Sequence, residues 1–314
     1  MKINIPLVSI VIPVYNRESF ILETVNSALS QDYSNFEVVV VDNNSTDRTF
    51  EILQTIHDEK LKVYRNDQNY GPVKNWLKGI EYAEGVYIKI LWSDDLLEKS
   101  CIAKLIDGFD ETTAFSYSST RIFNESSSKV RYRLDNSKRI KTNDYLAHLL
   151  HSTSDLPVSP GCALFRKLDL MENLEVQIPN NLLIDYSKLA IGNDLLLFLR
   201  PLLKYSNVNY ILDPVCSFRE HDDSISNKSG SHLLDFHYNY IKLYFLEKYY
   251  GRRLMYYSYF VAYVYKYILK KNNIPYREYK LCKVLPQFRL VDVLMIFLGF
   301  IHAIYFKISK KGTL

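Results

Sequence analysis

Cysteine is scarce in this chain of 314 residues, and the four present, Cys101, Cys162, Cys216 and Cys282, share no CxxC or Cys/His spacing. That excludes a zinc site of the usual kinds and a disulfide framework, and it fits a reducing compartment. Glycine and proline number ten each, which excludes collagen-like and low-complexity architectures. No cleavable leader is expected, because Met1–Pro6 runs directly into an apolar stretch. No internal repeat stands out. What the chain does have is 47% hydrophobic residues, enough for one large domain or two small ones.

The formal net charge of +4 conceals a division. From His232 to Leu314 there are 14 Lys and Arg against 4 Asp and Glu, leaving residues 1–231 at −6, and the same stretch holds 14 of the 26 tyrosines. A basic, aromatic tail on an acidic body is expected to meet an anionic partner, a membrane surface rather than nucleic acid, since no nucleic-acid motif accompanies it.

The first half alternates short apolar runs with amphipathic segments, the pattern of βαβ units around a mainly parallel sheet with helices on both faces. Strands are predicted at Leu7–Val14, Phe36–Val41, Leu61–Tyr64, Val86–Trp92 and Ala114–Ser118, with helices between them. This gives a doubly wound α/β, Rossmann-like domain over residues 1–118. Glu125–Lys141 is polar and reads as a surface excursion. Beyond it come a helix near Asp144–Leu150, a strand near Cys162–Phe165, a helix over Asp194–Lys204, a strand Val208–Leu212 and an aromatic helical stretch over His232–Lys270. Leu290–Ile308 is apolar but interrupted by Asp292 and His302, so it reads as an interfacial helix or a docked one rather than a simple span.

In an open α/β sheet, ligands bind beyond the carboxyl ends of the strands. Three of those ends are polar: Pro13-Val14-Tyr15-Asn16-Arg17, Asp42-Asn43-Asn44-Ser45-Thr46-Asp47, and Ser93-Asp94-Asp95. Ser45 and Asp47 read equally well as helix-capping residues. Adjacent carboxylates at Asp94 and Asp95 repel unless a cation lies beside them, and hard oxygen donors suit Mg²⁺ or Mn²⁺. Asp194 opens an apolar helix, where capping and chemistry are both open to it. His148 and His151 lack a supporting carboxylate motif and read as ordinary helix residues.

Val8–Asn16, Val40-Val41-Asp42 with Ser45-Thr46-Asp47, Asn69-Tyr70-Gly71, Ser93-Asp94-Asp95, Gly192-Asn193-Asp194 and Arg219-Glu220-His221, in this order, resemble the family 2 inverting glycosyltransferases of the GT-A fold. The resemblance implies Pro13, Tyr15, Asn16, Asp42, Asn69, Gly71, Asp94 and Arg219 for the nucleotide sugar. It implies Asp94, Asp95 and His221 for Mn²⁺ or Mg²⁺, Asp194 as the catalytic base, and Gly161 and Cys162 near the acceptor. Many relatives carry Asp where this chain has Trp92, so the division of labour between Asp94 and Asp95 stays open. The expected activity is transfer from a nucleotide-diphosphate sugar, a UDP-sugar above others, to a hydroxyl of a saccharide or lipid-linked saccharide in surface polysaccharide synthesis. A catalytic domain at 1–231 (nucleotide half 1–118, acceptor half 119–231) is expected, with a helical membrane-association segment at 232–314. The enzyme is expected on the inner face of the cell membrane. The rivals are a catalytically silent scaffold, which has no reason to keep Asp42, Asp94, Asp95 and Asp194 together, and a sugar-nucleotide pyrophosphorylase or dehydrogenase. Both of the latter need a glycine-rich turn after strand one, and Tyr15-Asn16-Arg17-Glu18-Ser19 has no glycine.

Overall fold

The computed structural model describes residues 5–251, apart from 137, 152–154, 181–182 and 222–224. The apolar run Leu290–Ile308, Cys282 and everything else after residue 251 lie outside the described residues, and so do Asp222 and Asp223.

Two continuous β-branched runs form the centre: β1 (Val8–Val14) and β2 (Phe36–Asp42), every residue of both buried. Strands apolar on both faces belong to the middle of a parallel sheet covered by helices. β3 (Leu61–Arg65) extends the sheet beyond β2, and β4 (Tyr87–Ile90) lies on the other side of β1, all parallel. Helix α1 (Ile21–Leu29) turns Ile21, Thr24, Val25 and Ala28 inward, and α3 (Pro72–Tyr82) turns in Val73, Trp76 and Ile80. Between them comes α2 (Thr49–Gln54). The glycine at position 79 brings α3 close to the sheet: a Cβ there would lie 2.5 Å from Val11 Cγ1.

The second half is mixed. After β5 (Leu96–Leu97) and α4 (Cys101–Ile106), β6 (Thr113–Phe123) pairs in parallel with β10 (Asn207–Arg219), while β9 (Ala163–Arg166) runs antiparallel between β4 and β6. The full order is β3-β2-β1-β4-β9-β6-β10-β5. The polar stretch 125–141 is not a mere surface excursion. It contributes β7 (Ser128–Arg131), paired with β6, and β8 (Lys138–Lys141), paired with β10. β7 is exposed throughout, so ladder hydrogen bonds rather than burial make it a strand, and no apolar alternation announces it.

α5 (Thr142–His151), α6 (Lys167–Asn173), α7 (Tyr186–Leu189) and α8 (Asn193–Leu199) cover this half. Pro201 ends α8 and starts a 3₁₀ turn, Pro201–Leu203, where a single helix to Lys204 was expected. α9 runs unbroken from Ile225 to Tyr250. The boundary expected at 231/232 therefore falls inside a helix. Ile241 and Phe245 of α9 are fully buried, each contributing about 1.5–3 kcal/mol by area, so this part of the tail is packed into the core of the fold. Among the described residues, no helix is long and apolar enough to cross a membrane.

Candidate active site

β1 keeps register with β4 only up to Val11↔Ile90, whereas with β2 it continues to Val14↔Asp42. The chain thus parts between the tips of β1 and β4, the point where strand order reverses and where such sheets receive ligands. Register also sets Val14, Asp42 and Arg65 side by side along this edge.

The loops after β1 and β2 are sewn together by their polar side chains. Asn16 N–H donates to Ser45 Oγ (2.9 Å), Thr46 N–H donates to Asn16 Oδ1 (2.8 Å), Arg17 N–H donates to Thr49 Oγ1 (2.7 Å), and Glu18 N–H donates to Asp47 Oδ2 (3.1 Å). Asn16 and Asn44 have φ of 51° and 62°, a region asparagine tolerates better than most residues. Asp42 is fully buried; its carboxylate accepts from the Ser45 hydroxyl and N–H and pairs with Arg65 Nε at 3.3 Å. Asp47 does serve the following helix, accepting from Thr49 N–H at 3.0 Å, and those hydrogen bonds hold its carboxyl below the usual range against its partial burial. Pro13 is buried in β1, and Tyr15, 40% exposed, offers its ring at the strand tip. Asn69 Oδ1 accepts from Asn43 Nδ2 (2.8 Å) and Gly71 N–H (2.9 Å), and Gly71, at φ 84°, caps α3 in a conformation that favours glycine.

Across the gap, Asp94 and Asp95 point different ways. Asp94 Oδ2 lies 2.9 Å from His221 Nε2 and 3.3 Å from Arg17 Nε. Asp95 is buried and accepts from Arg219 N–H at 2.9 Å; burial, then the neighbouring Asp94, push its carboxyl well above the usual range. Arg219 braces this corner: its Nε donates to Asp94 O (3.0 Å), its Nη2 meets Glu23 Oε2 (2.6 Å), and its guanidinium lies over the rings of Phe20 and Phe123. In this structure it holds the aspartate turn rather than standing open. Among the described residues, no three His, Cys, Asp or Glu side chains gather as a complete metal site. The chemistry of the donors still fits a divalent ion bound with substrate phosphates, because Asp94 and His221 present an oxygen and a nitrogen within one hydrogen-bond length and one or two protein donors is usual there.

Asp194 sits apart, on α8. It is not the cap itself: Gly192, φ 99°, occupies that position. Its Oδ1 accepts from Gly192 N–H (2.7 Å) and Leu195 N–H (2.8 Å), and its Oδ2 accepts from Tyr238 Oη of α9 at 2.8 Å. Burial raises its carboxyl to about 7, opposed by Tyr238 and by the N–H groups of Gly192, Leu195 and Asp194 itself. α8 packs on the 3₁₀ turn Pro160–Cys162. There Gly161 leaves room for Trp92: a Cβ would lie 2.8 Å from Trp92 Nε1, which donates to Ser159 Oγ at 2.9 Å. Gly161 O also accepts from the buried Lys89 ammonium. Cys162 is fully buried with its thiol on Ser159 O, so it supports this wall from beneath.

Arg17 stands in the polar motif after strand one but has no role assigned from sequence, and Arg65 and Tyr238 are absent from the residues expected there. Arg17 follows β1 and Arg65 is the last residue of β3, both at the sheet edge that carries Asp42. Tyr238 lies 44 positions from its partner in a helix read as tail, and nothing local marks it.

A family model described as Glycosyl transferase family 2 matches residues 9–173. WfaP of Escherichia coli, a UDP-Glc:alpha-D-GlcNAc-diphosphoundecaprenol beta-1,3-glucosyltransferase, is 38% identical over 113 residues, 36% of this chain and 45% of that one. The glycosyltransferase GlyG of Streptococcus pneumoniae is 34% identical over 110 residues, 34% of this chain and 36% of that one. The chain spans less than half the length of the curated relatives it matches. In structure it resembles residues 1–349 of Staphylococcus aureus TarS solved with UDP-GlcNAc, with a TM-score of 0.63 and 18% identity, covering 97% of this chain and 88% of that one. The expected GT-A architecture is present, and with the family match across more than half its length this chain belongs to glycosyl transferase family 2.

Proposed function

We propose that the protein transfers a sugar from a nucleotide diphosphate, with a UDP-sugar as donor, to a hydroxyl of a saccharide or lipid-linked saccharide in surface polysaccharide synthesis, inverting the anomeric centre. The observation that carries this reading is the division of carboxylates. Asp42 stands at the tip of β2, Asp94 with His221 beyond β4, and a further carboxylate, Asp194, stands apart at the start of α8, raised to about 7 by burial. One carboxylate is what a direct displacement needs, since only the attacking hydroxyl has a proton to lose.

Asp42 and Asn16 fix the loops on which the base and ribose would rest, and the exposed Tyr15 ring offers a stacking face. Asp94 and His221, with Asp95 behind them, would hold Mn²⁺ or Mg²⁺, which when bound neutralises charge developing on the departing diphosphate. Asp194 accepts the acceptor proton, and Gly161 and Cys162 shape the adjoining wall. The deciding experiment is a panel of nucleotide sugars with Mn²⁺, scored by the rise in unfolding temperature, because selective binding to the native state stabilises it. A panel in which no nucleotide sugar raises it counts against the donor site.

Asp42 yields a second expectation. In Asp42→Asn the charge facing Arg65 is lost and a buried acceptor becomes in part a donor, which costs about 1–3 kcal/mol of nucleotide binding, or roughly ten- to a hundredfold in affinity. Unchanged affinity by calorimetry in the folded variant leaves Asp42 as an internal brace for Ser45 and Arg65.

The tail supplies a third. With 14 basic and 4 acidic residues beyond position 231, the full chain is expected to bind anionic vesicles at the inner face of the membrane in a salt-sensitive way. Replacing Lys307, Lys310 and Lys311 by Glu should release it. Cutting at Ser231 is not a usable test, because it removes the buried Ile241 and Phe245 as well. Binding unaffected by salt and by the three replacements counts against the membrane reading.

A further inference from the structure

We propose that Tyr238 of α9 is a positioning residue for Asp194: its hydroxyl occupies one side of Oδ2 and leaves a single lone pair of the carboxylate open to the acceptor hydroxyl. The proposal rests on the reading of Asp194 as the base. A carboxylate has about four acceptor positions. Two, on Oδ1, are taken by the N–H groups of Gly192 and Leu195, and a third, on Oδ2, by the Tyr238 hydroxyl at 2.8 Å. The proton of an attacking hydroxyl can therefore arrive along one direction only, and α9 sets which.

Tyr238 also favours the ionised form of a carboxylate that burial would otherwise keep protonated. Its own phenol is pushed well above the usual range by burial and by the charge of Asp194, so it stays a donor at every pH where the enzyme would be assayed. Among the described residues, the groups that face Asp194 are the phenol of Tyr238 from α9, the phenol of Tyr132 just after β7, and the N–H groups of Gly192, Asp194 and Leu195 at the start of α8. Tyr132 is neutral as well, raised mainly by burial. It is fixed at φ 58° by Asp155, which accepts from its N–H at 3.0 Å and from the Arg131 fork at 2.8 and 2.6 Å. The helix thus couples two features the sequence left separate: the aromatic C-terminal stretch and the catalytic carboxylate. Its buried Ile241 meets Gly192, where a Cβ would lie 2.4 Å from Ile241 Cγ1, so the position of α9 and the start of α8 are fixed by the same contact.

The test compares kcat/KM against pH for the full chain, for Tyr238→Phe, for Asp194→Asn and for the double variant, with donor affinity measured by calorimetry. Loss of one hydrogen bond to the charged form is expected to move the acidic limb up by about one pH unit, lowering kcat/KM about tenfold below the limb and little above it. Donor affinity should hold, and the double variant should be no worse than Asp194→Asn. An unmoved limb in folded Tyr238→Phe, with Asp194→Asn inactive, overturns the role of Tyr238 while leaving the base in place. A near-normal Asp194→Asn removes the base and this proposal with it, and the two failures are told apart by that single variant. Should Tyr238→Phe not fold, a fluorotyrosine at 238, a stronger donor of the same shape, must move the limb downward; a limb that stays put overturns the proposal equally.

Discussion

Asp194→Asn should lose about 10² to 10⁴ in kcat while binding its donor as the parent does. The amide keeps an oxygen where Oδ1 accepts from Gly192 and Leu195, so the start of α8 is retained. At Oδ2 an NH₂ replaces the acceptor and can donate to the oxygen of Tyr238, which keeps the contact and removes the basicity. The parent enzyme should show a matching pH dependence. A base must be ionised to work, and with its carboxyl raised to about 7 by burial, kcat/KM should climb as pH rises through about 7 and level off above. The product should carry inverted anomeric configuration, read by NMR of the transferred sugar. A near-normal kcat in the variant would show that another group takes the proton, and a retained configuration would sink single displacement itself.

How far the sequence disclosed this arrangement depended on which force made each element. β1 and β2 were legible because unbroken Val and Ile runs have one stable home, the centre of a covered sheet, and α1 and α3 because a buried face repeats every 3.6 residues. β7 and β8 escaped because they are strands by pairing and present no apolar stripe. Only the Val208–Leu212 part of β10 was visible. Asp213 and Pro214 interrupt its pattern at the place where its register with β6 shifts between Ile211 and Cys216, and irregular pairing is where a strand tolerates proline.

The candidate site followed the same logic. Asp42, Asp94 and Asp95 could be picked because strand tips in this architecture are predictable positions. That Asp94 rather than Asp95 would turn to His221 could not be picked, since adjacent residues alternate in direction and the turn between β4 and β5 decides the phase. Arg219, expected at the nucleotide, spans Asp94 O and Glu23 in this structure, a tertiary contact that no local pattern encodes. Tyr238 is hidden for the same reason: charge and aromatic content mark its segment as tail, and only the fold brings it to Asp194.

Chelation is expected to reduce turnover to background, and added Mn²⁺ or Mg²⁺ to restore it. Asp94 is held between Arg17 and His221, and Asp95 is buried beside it with its carboxyl raised by burial and by that neighbour. Two carboxylates in this corner are costly unless a cation offsets them, and a nucleotide diphosphate brings further negative charge to the same place. A divalent ion stabilises a departing phosphate by several kcal/mol, so its removal should cost roughly a thousandfold or more. Asp94→Asn and His221→Ala should each weaken Mn²⁺ binding in the presence of UDP, measured by calorimetry, whereas Arg17→Ala, which removes a competitor for Asp94 Oδ2, should weaken it least. Full activity in excess chelator would remove the aspartate pair from metal chemistry and leave Arg17, Arg219 and His221 as the groups that must meet the diphosphate alone.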